Sequence, residues 1–195
     1  GWSGPLDLYG VAAWSWYGGE RYGRTLQVSA ARGFTLSPRD RLRLRVSAER
    51  FTLEPDEDEF DRSTAYEAEA WWLHQFEGGA ALSLSVNQRE SESARASLDY
   101  SRTRLAAGYT LAEPVLGART TLGLEMERRD YDVYPFEFDG RHDHGLEARV
   151  DLAFPALDYY GFIPTVRVFT SETLSTADRY DTRVSGVDIG FRSAF

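Results

Sequence analysis

Residues 41–49 read Arg-Leu-Arg-Leu-Arg-Val-Ser-Ala-Glu, apolar and polar side chains alternating almost without a break. A strand sends successive side chains to opposite faces, so this run predicts a strand with one oily and one charged face. The same period recurs along the whole chain. It predicts strands over 6–16, 25–36, 41–49, 66–76, 80–88, 102–111, 119–129, 144–154, 162–171 and 183–195. In 25–36, Leu26, Val28, Ala30, Phe34 and Leu36 oppose Thr25, Gln27, Ser29 and Gly33. In 66–76, Tyr66, Ala68, Ala70, Trp72 and Phe76 oppose Glu67, Glu69 and Gln75. No segment carries a helical period, and internal glycine and threonine weaken helix further.

The last run fixes which face is which. Counting back from the terminus, Phe195, Ser193, Phe191, Ile189 and Val187 alternate with Ala194, Arg192, Gly190, Asp188 and Gly186. A chain that stops at an aromatic on its oily face is similar to the closing strand of bacterial outer-membrane barrels, which the barrel-assembly machinery reads as a tag. Asp188, Gly190, Phe191 and Phe195 form that signal here, while Ser193 stands where a hydrophobe is usual. The expected fold is therefore all-β: an antiparallel transmembrane β-barrel of about ten strands, each long enough to cross a bilayer at a tilt.

If the terminus is periplasmic, the connections alternate sides. Leu36–Asp40, Glu77–Gly79, Ala112–Gly117 and Pro155–Gly161 are the expected short inner turns. Tyr17–Gly23, Glu54–Ser63, Gln88–Arg95, Asp130–Arg141 and Glu172–Arg179 are the expected longer outer loops. Aromatic residues near strand ends (Trp14, Trp16, Trp71, Trp72, Tyr159, Tyr160) suit the headgroup boundary. A soluble barrel with its oily face turned inward is the competing architecture, with the arginines and glutamates as ordinary solvent charges.

Composition narrows the chemistry. The 195 residues suit one domain, absent cysteine rules out disulfides and thiolate metal sites, and all 22 basic residues are arginine. A net charge of −9 argues against a nucleic-acid partner. The chain begins at Gly1 without an initiator Met and reads as a processed or truncated product.

With the terminal parity extended to every strand, the lumen is expected to be lined by Arg41, Arg43, Arg45, Glu67, Glu69, Arg102, Arg104, Arg119, Glu125, Glu127, Arg129, Glu147, Arg149, Asp151, Arg167, Asp188 and Arg192. Like charges at two-residue spacing need opposite-sign neighbours or water, so interleaved ladders predict a salt-bridge network. The sharper alternative is a polar conduit that passes or binds a substrate.

Other candidates are weaker. Glu54–Asp61 offers carboxylates for Ca²⁺ without the glycine and spacing of an EF-hand, and acidic runs are ordinarily solvated loops. His142 and His144 share one side of a strand as a metal pair lacking a third ligand. No Gly-x-Ser-x-Gly elbow occurs, and His74 falls on the oily parity near two tryptophans, so no catalysis, cofactor or metal is expected.

Gly161-Phe162-Ile163-Pro164-Thr165, the run to Ser175, and Asp178-Arg179-Tyr180-Asp181-Thr182-Arg183-Val184 leading to Phe195 resemble the end of the surface lipoprotein assembly modifier (Slam) barrels. Arg128-Arg129-Asp130-Tyr131 and Gly140-Arg141-His142-Asp143 resemble that family's preceding hairpin. The resemblance is clearest over 120–195 and only architectural before that. It implies an outer-membrane translocon that helps lipoproteins or related secreted proteins reach the cell surface, with such a protein as client. Family members carry a periplasmic tetratricopeptide domain ahead of a barrel of about fourteen strands. This chain holds neither, so it is expected to be the C-terminal part of a longer barrel or a shorter relative. A small outer-membrane channel or structural barrel without a client is the other functional expectation.

Overall fold

The computed structural model describes residues 2–53, 62–135 and 139–193. Each of the ten predicted runs forms a strand: β1 (Trp2–Tyr17), β2 (Glu20–Thr35), β3 (Asp40–Leu53), β4 (Arg62–Gln75), β5 (Ala81–Ser93), β6 (Tyr100–Thr110), β7 (Arg119–Tyr131), β8 (Arg141–Ala153), β9 (Phe162–Ser175) and β10 (Thr182–Ser193). They make one antiparallel sheet in simple sequence order. β1 and β10 are its two edges and do not pair with each other among the described residues. Phe195, the terminal aromatic of the expected assembly signal, and the acidic run Glu54–Asp61 lie outside the described residues.

The register sets which residues share a face, strand by strand. Arg45 stands opposite Glu69 and Ala31, Arg104 opposite Glu127 and Asn87, and Asp151 opposite Thr121 and Arg167. The pairing continues from Arg167 to Asp188 on β10. Every expected lining charge therefore falls on one polar face. The other face is a continuous apolar surface running from Leu8 and Val28 through Val46, Ala70, Leu84, Leu105, Leu124 and Leu146 to Val168 and Ile189. Arg32 is an exception on that face, its guanidinium 5.7 Å from the Phe34 ring centroid.

A single sheet has nothing to bury this surface against. No large side chain is fully covered among the described residues, and Val46, Met126 and Val187 are all more than half exposed. An apolar face of this extent is far larger than soluble monomers leave in water. On β3 it runs from Leu42 to Ala48, roughly 20 Å along the strand at about 3.4 Å per residue.

The connections sort the sheet into two ends. At the proximal end, residues 36–39, 76–80, 111–118 and 154–161 join the strands. The distal end carries the remaining connections. The first of these differs from the expected loop Tyr17–Gly23: the chain reverses at Gly18-Gly19, both at positive φ (63° and 90°). Glycine adopts that conformation without steric cost, and the two-residue turn matches strand twist. Gln88–Ser93 is likewise strand rather than loop, and β9 continues to Ser175. Loop length therefore does not separate the two ends.

Chemistry on the apolar side does. Distally the strands run on past the oily band, and Gln88, Glu90, Thr103, Arg128 and Asp130 replace its hydrophobes on the same side. They partner one another, Gln88 with Glu90 and Thr103, and Arg128 with Asp130. Proximally, Trp72, His74 and Phe76 form a ring-to-ring row that reaches Tyr109. Trp71 departs from expectation: its partners Arg43 and Ser85 place it on the polar face.

Candidate functional site

The polar face is built by strands that set charges at two-residue spacing, of one sign on β4, β5 and β6 and of both signs on β3, β7 and β8. β3 brings Arg45 and Glu49, β4 Glu67 and Glu69, β5 Arg89, β6 Arg102 and Arg104, β7 Glu125, Glu127 and Arg129, and β8 Glu147, Arg149 and Asp151. Neighbouring strands then set opposite charges side by side.

Arg45 reaches both Glu67 and Glu69 at 2.7 Å. Arg89 extends over β4 to Glu49 at 2.8 Å and approaches Glu67 at 3.7 Å. Glu67 also holds Arg102 at 3.2 Å, and Arg102 donates to the Asn87 amide oxygen at 3.1 Å. Arg104 clamps Glu125 (3.0 Å) and Glu127 (2.7 Å), and Arg129 closes on Glu127 at 2.9 Å. Arg149 spans Glu125, Glu147 and Asp151 at 3.7, 3.2 and 3.3 Å. Asp151 passes the chain on to Arg167 at 2.6 Å.

One lattice thus crosses from β3 to β9. Its centre is shielded: the Glu67 and Arg102 side chains are only 12% and 14% exposed, whereas Arg167 near its end is 50% exposed. Glycine makes room for it. A Cβ on Gly123 would meet the Arg149 side chain at 2.7 Å, so the missing side chain is what lets Arg149 lie across β7 toward Glu125. On β10, the Phe169 ring covers Gly186 in the same way. The Nε atoms of Arg102, Arg129 and Arg149 are buried without a hydrogen-bond partner among the described residues, so the lattice is rich in donors.

Of the expected lining arginines, Arg41, Arg43, Arg119 and Arg192 share the face but make no ion pair among the described residues. They gather at the proximal end, where β3 and β7 begin and β10 finishes. Glu49 and Arg89 belong to the lattice although sequence reasoning did not place them there. The parity of Asn87 carried two residues further would have found Arg89, had Gln88–Arg95 not read as a loop.

A second cluster caps the distal end. Arg141, only 8% exposed, lies between the rings of Tyr131 and Tyr180, its guanidinium carbon 3.7 and 3.9 Å from their centroids. Asp143 takes its terminal nitrogen at 3.2 Å. Arg179 adds cation–π contacts to Tyr134 and Tyr180 at 5.3 and 5.0 Å. The Tyr134 and Tyr180 hydroxyls share a hydrogen bond. This bond, reinforced by the nearby arginines, holds the Tyr180 phenol below its ordinary pKa, while burial and the same bond push Tyr134 up.

The histidines make no such centre. His74 pairs with Asp40 through Nδ1 at 2.8 Å, and the Ser37 hydroxyl donates to the other oxygen of that carboxylate. Serine thus faces the acid rather than the imidazole, an arrangement that ties a turn and activates no nucleophile. His142 pairs with Asp130 at 2.6 Å. His142 and His144 share a face, but no group of three metal-ligating side chains converges among the described residues.

Comparison with known proteins gives no relative: no protein-family profile and no curated protein sequence matches this chain.

Proposed function

We propose that the sheet is wall material of a bacterial outer-membrane β-barrel, and that it serves as the barrel of a Slam-type translocon that helps lipoproteins or related secreted proteins reach the cell surface. The observation that carries the membrane half of this reading is the segregation of the faces. One side is hydrocarbon interrupted by Arg32 and bounded by aromatic rings at the proximal end and by polar pairs distally; the other is a charge lattice. Lipid is the solvent that favours the first and excludes the second. Such a wall needs both edges of the sheet paired, β1 and β10 closing on each other or on further strands, because open backbone is not tolerated in hydrocarbon. The translocation half rests on the motifs around Tyr180–Val184 and Gly140–Asp143.

The test has two arms. Membrane fractionation should recover the protein in the outer membrane; recovery as a soluble monomer would end the reading. Deletion of the gene should remove a lipoprotein from the cell surface while its periplasmic level is kept, and unchanged surface display would end the translocon assignment. The density of the ion lattice favours a second reading, a stiff barrel or narrow channel without a protein client, for which planar-bilayer conductance is the measurement.

A further inference from the structure

We propose that the proximal end of the polar face holds a binding site for a small water-soluble oxyanion, gripped between Arg119 of β7 and Arg192 of β10. A cavity of about 550 Å³ opens there, lined by Arg119, Arg167, Arg192, Asp151 and Asp188. Its floor follows from register. Arg119 stands opposite Ala153, Ala153 opposite Thr165, and Thr165 opposite Gly190, with Arg192 one pleat beyond. The row between the two arginines therefore carries only small side chains. Three inter-strand steps of about 4.8 Å set the two backbones about 14 Å apart, a gap that two long side chains bridge around a phosphate-sized group.

Charge accounting separates this cavity from the lattice beside it. In the lattice, Arg45, Arg89, Arg102, Arg104, Arg129 and Arg149 are matched by Glu49, Glu67, Glu69, Glu125, Glu127 and Glu147. In the cavity, Asp151 is already engaged by Arg167 at 2.6 Å and Arg149 at 3.3 Å, and Asp188 stands opposite Arg167 without an ion pair among the described residues, so three arginines face two aspartates there. Arg119 and Arg192 keep no acidic partner among the described residues. A guanidinium presents a planar fork of donors that fits phosphate or carboxylate oxygens two at a time, so two unmatched forks over a small-residue floor select an oxyanion. The cavity lies on the face opposite the hydrocarbon surface, which favours a free anion over a phospholipid headgroup.

The site can be tested on the full chain refolded in maltoside detergent, which carries no phosphate, by calorimetric titration with sodium pyrophosphate. The expected result is saturable binding, weakened at least about tenfold in the R119Q/R192Q double variant and unchanged in R39Q, whose arginine pairs with Glu77 outside the cavity. The strand signal in circular dichroism reports whether each variant is folded. G190D is a second probe that keeps both arginines. A Cβ there meets only Thr165 Oγ1 at an ordinary 3.7 Å, so the new carboxylate has room to occupy the anion's place and should also abolish binding. Competition by added phosphatidylglycerol but not phosphatidylcholine would assign the site to headgroups and overturn the free-anion proposal. Equal binding by wild type and both variants, or no saturable binding to wild type, would overturn the site itself.

Discussion

The guanidinium of Arg141 lies over the ring of Tyr180, 3.9 Å from its centroid, and so ties the start of β8 to the connection between β9 and β10. Tyr131 covers the opposite side at 3.7 Å, and Asp143 neutralises the charge. Desolvated cation–π contacts are worth up to about 2 kcal/mol each, and truncation would also strand the Asp143 carboxylate. Arg141→Ala should therefore destabilise the distal end by about 2 kcal/mol. Urea unfolding in detergent and faster protease cutting within residues 132–140 and 176–181 are the measurements. Arg141→Lys should rescue only part, because an ammonium does not stack as a planar group.

Gly140 precedes that arginine at φ 79°, and a Cβ there would sit 2.2 Å from the Tyr131 carbonyl oxygen. Neither the backbone conformation nor the contact leaves room for a side chain. Gly140→Ala should cost at least about 1–3 kcal/mol, with protease sensitivity appearing in the same segments as for Arg141→Ala.

The Tyr134–Tyr180 pair predicts a spectroscopic titration. Tyr180 should ionise below the ordinary tyrosine range and Tyr134 above it. By linkage, ionised Tyr180 favours the fold as pH rises through its lowered folded-state pKa, whereas Tyr134 favours the fold while neutral and withdraws that support at higher pH. The earliest phenolate absorbance in the alkaline titration should be missing from Tyr180→Phe and kept in Tyr109→Phe, whose ring lies at the proximal end.

Leu124 stands on the apolar face between Ala107 and Ala148. Leu124→Arg should destabilise the protein in a bilayer by about 2–4 kcal/mol, the cost of a cation near the midplane. Ser29→Arg, on the polar face, should cost less than about 1 kcal/mol. Equal effects of the two in denaturant unfolding from vesicles would invalidate the assignment of faces to lipid and water.

Glu67 and Arg102 occupy the most shielded part of the lattice, 3.2 Å apart. A double-mutant cycle of Glu67→Gln and Arg102→Gln should give a coupling energy of about 1–2 kcal/mol, smaller than either single loss because Arg45, Arg89 and Glu127 re-partner. High salt should reduce the more exposed Arg167–Asp151 pair further than this one.

Alternation along the chain was enough to place all ten strands and to assign Arg45, Glu67, Arg104, Glu127 and Arg149 to one face. A strand's period of two leaves no freedom once one side chain is assigned, and the run from Val187 to Phe191 assigned it for the whole chain. The extent of each strand was less legible. Gln88–Ser93 reads as a polar loop because both faces turn hydrophilic beyond the oily band, and only pairing with β4 and β6 makes it strand. The Gly18-Gly19 turn was hidden inside an expected longer loop for a related reason: Glu20 and Arg21 pair with β1 despite their polarity.

What only the tertiary structure decided is who meets whom. Period fixes the face of a residue, but register fixes its neighbour, and register depends on turn geometry and inter-strand hydrogen bonds that no single strand encodes. Glu49 reaching Arg89 over β4, Arg141 between Tyr131 of β7 and Tyr180 of the β9–β10 connection, and the unmatched Arg119 and Arg192 all depend on how the strands pair. The sequence determined that this protein has an oily side and a charged side; the pairing of its strands determined which charges cancel and which remain available.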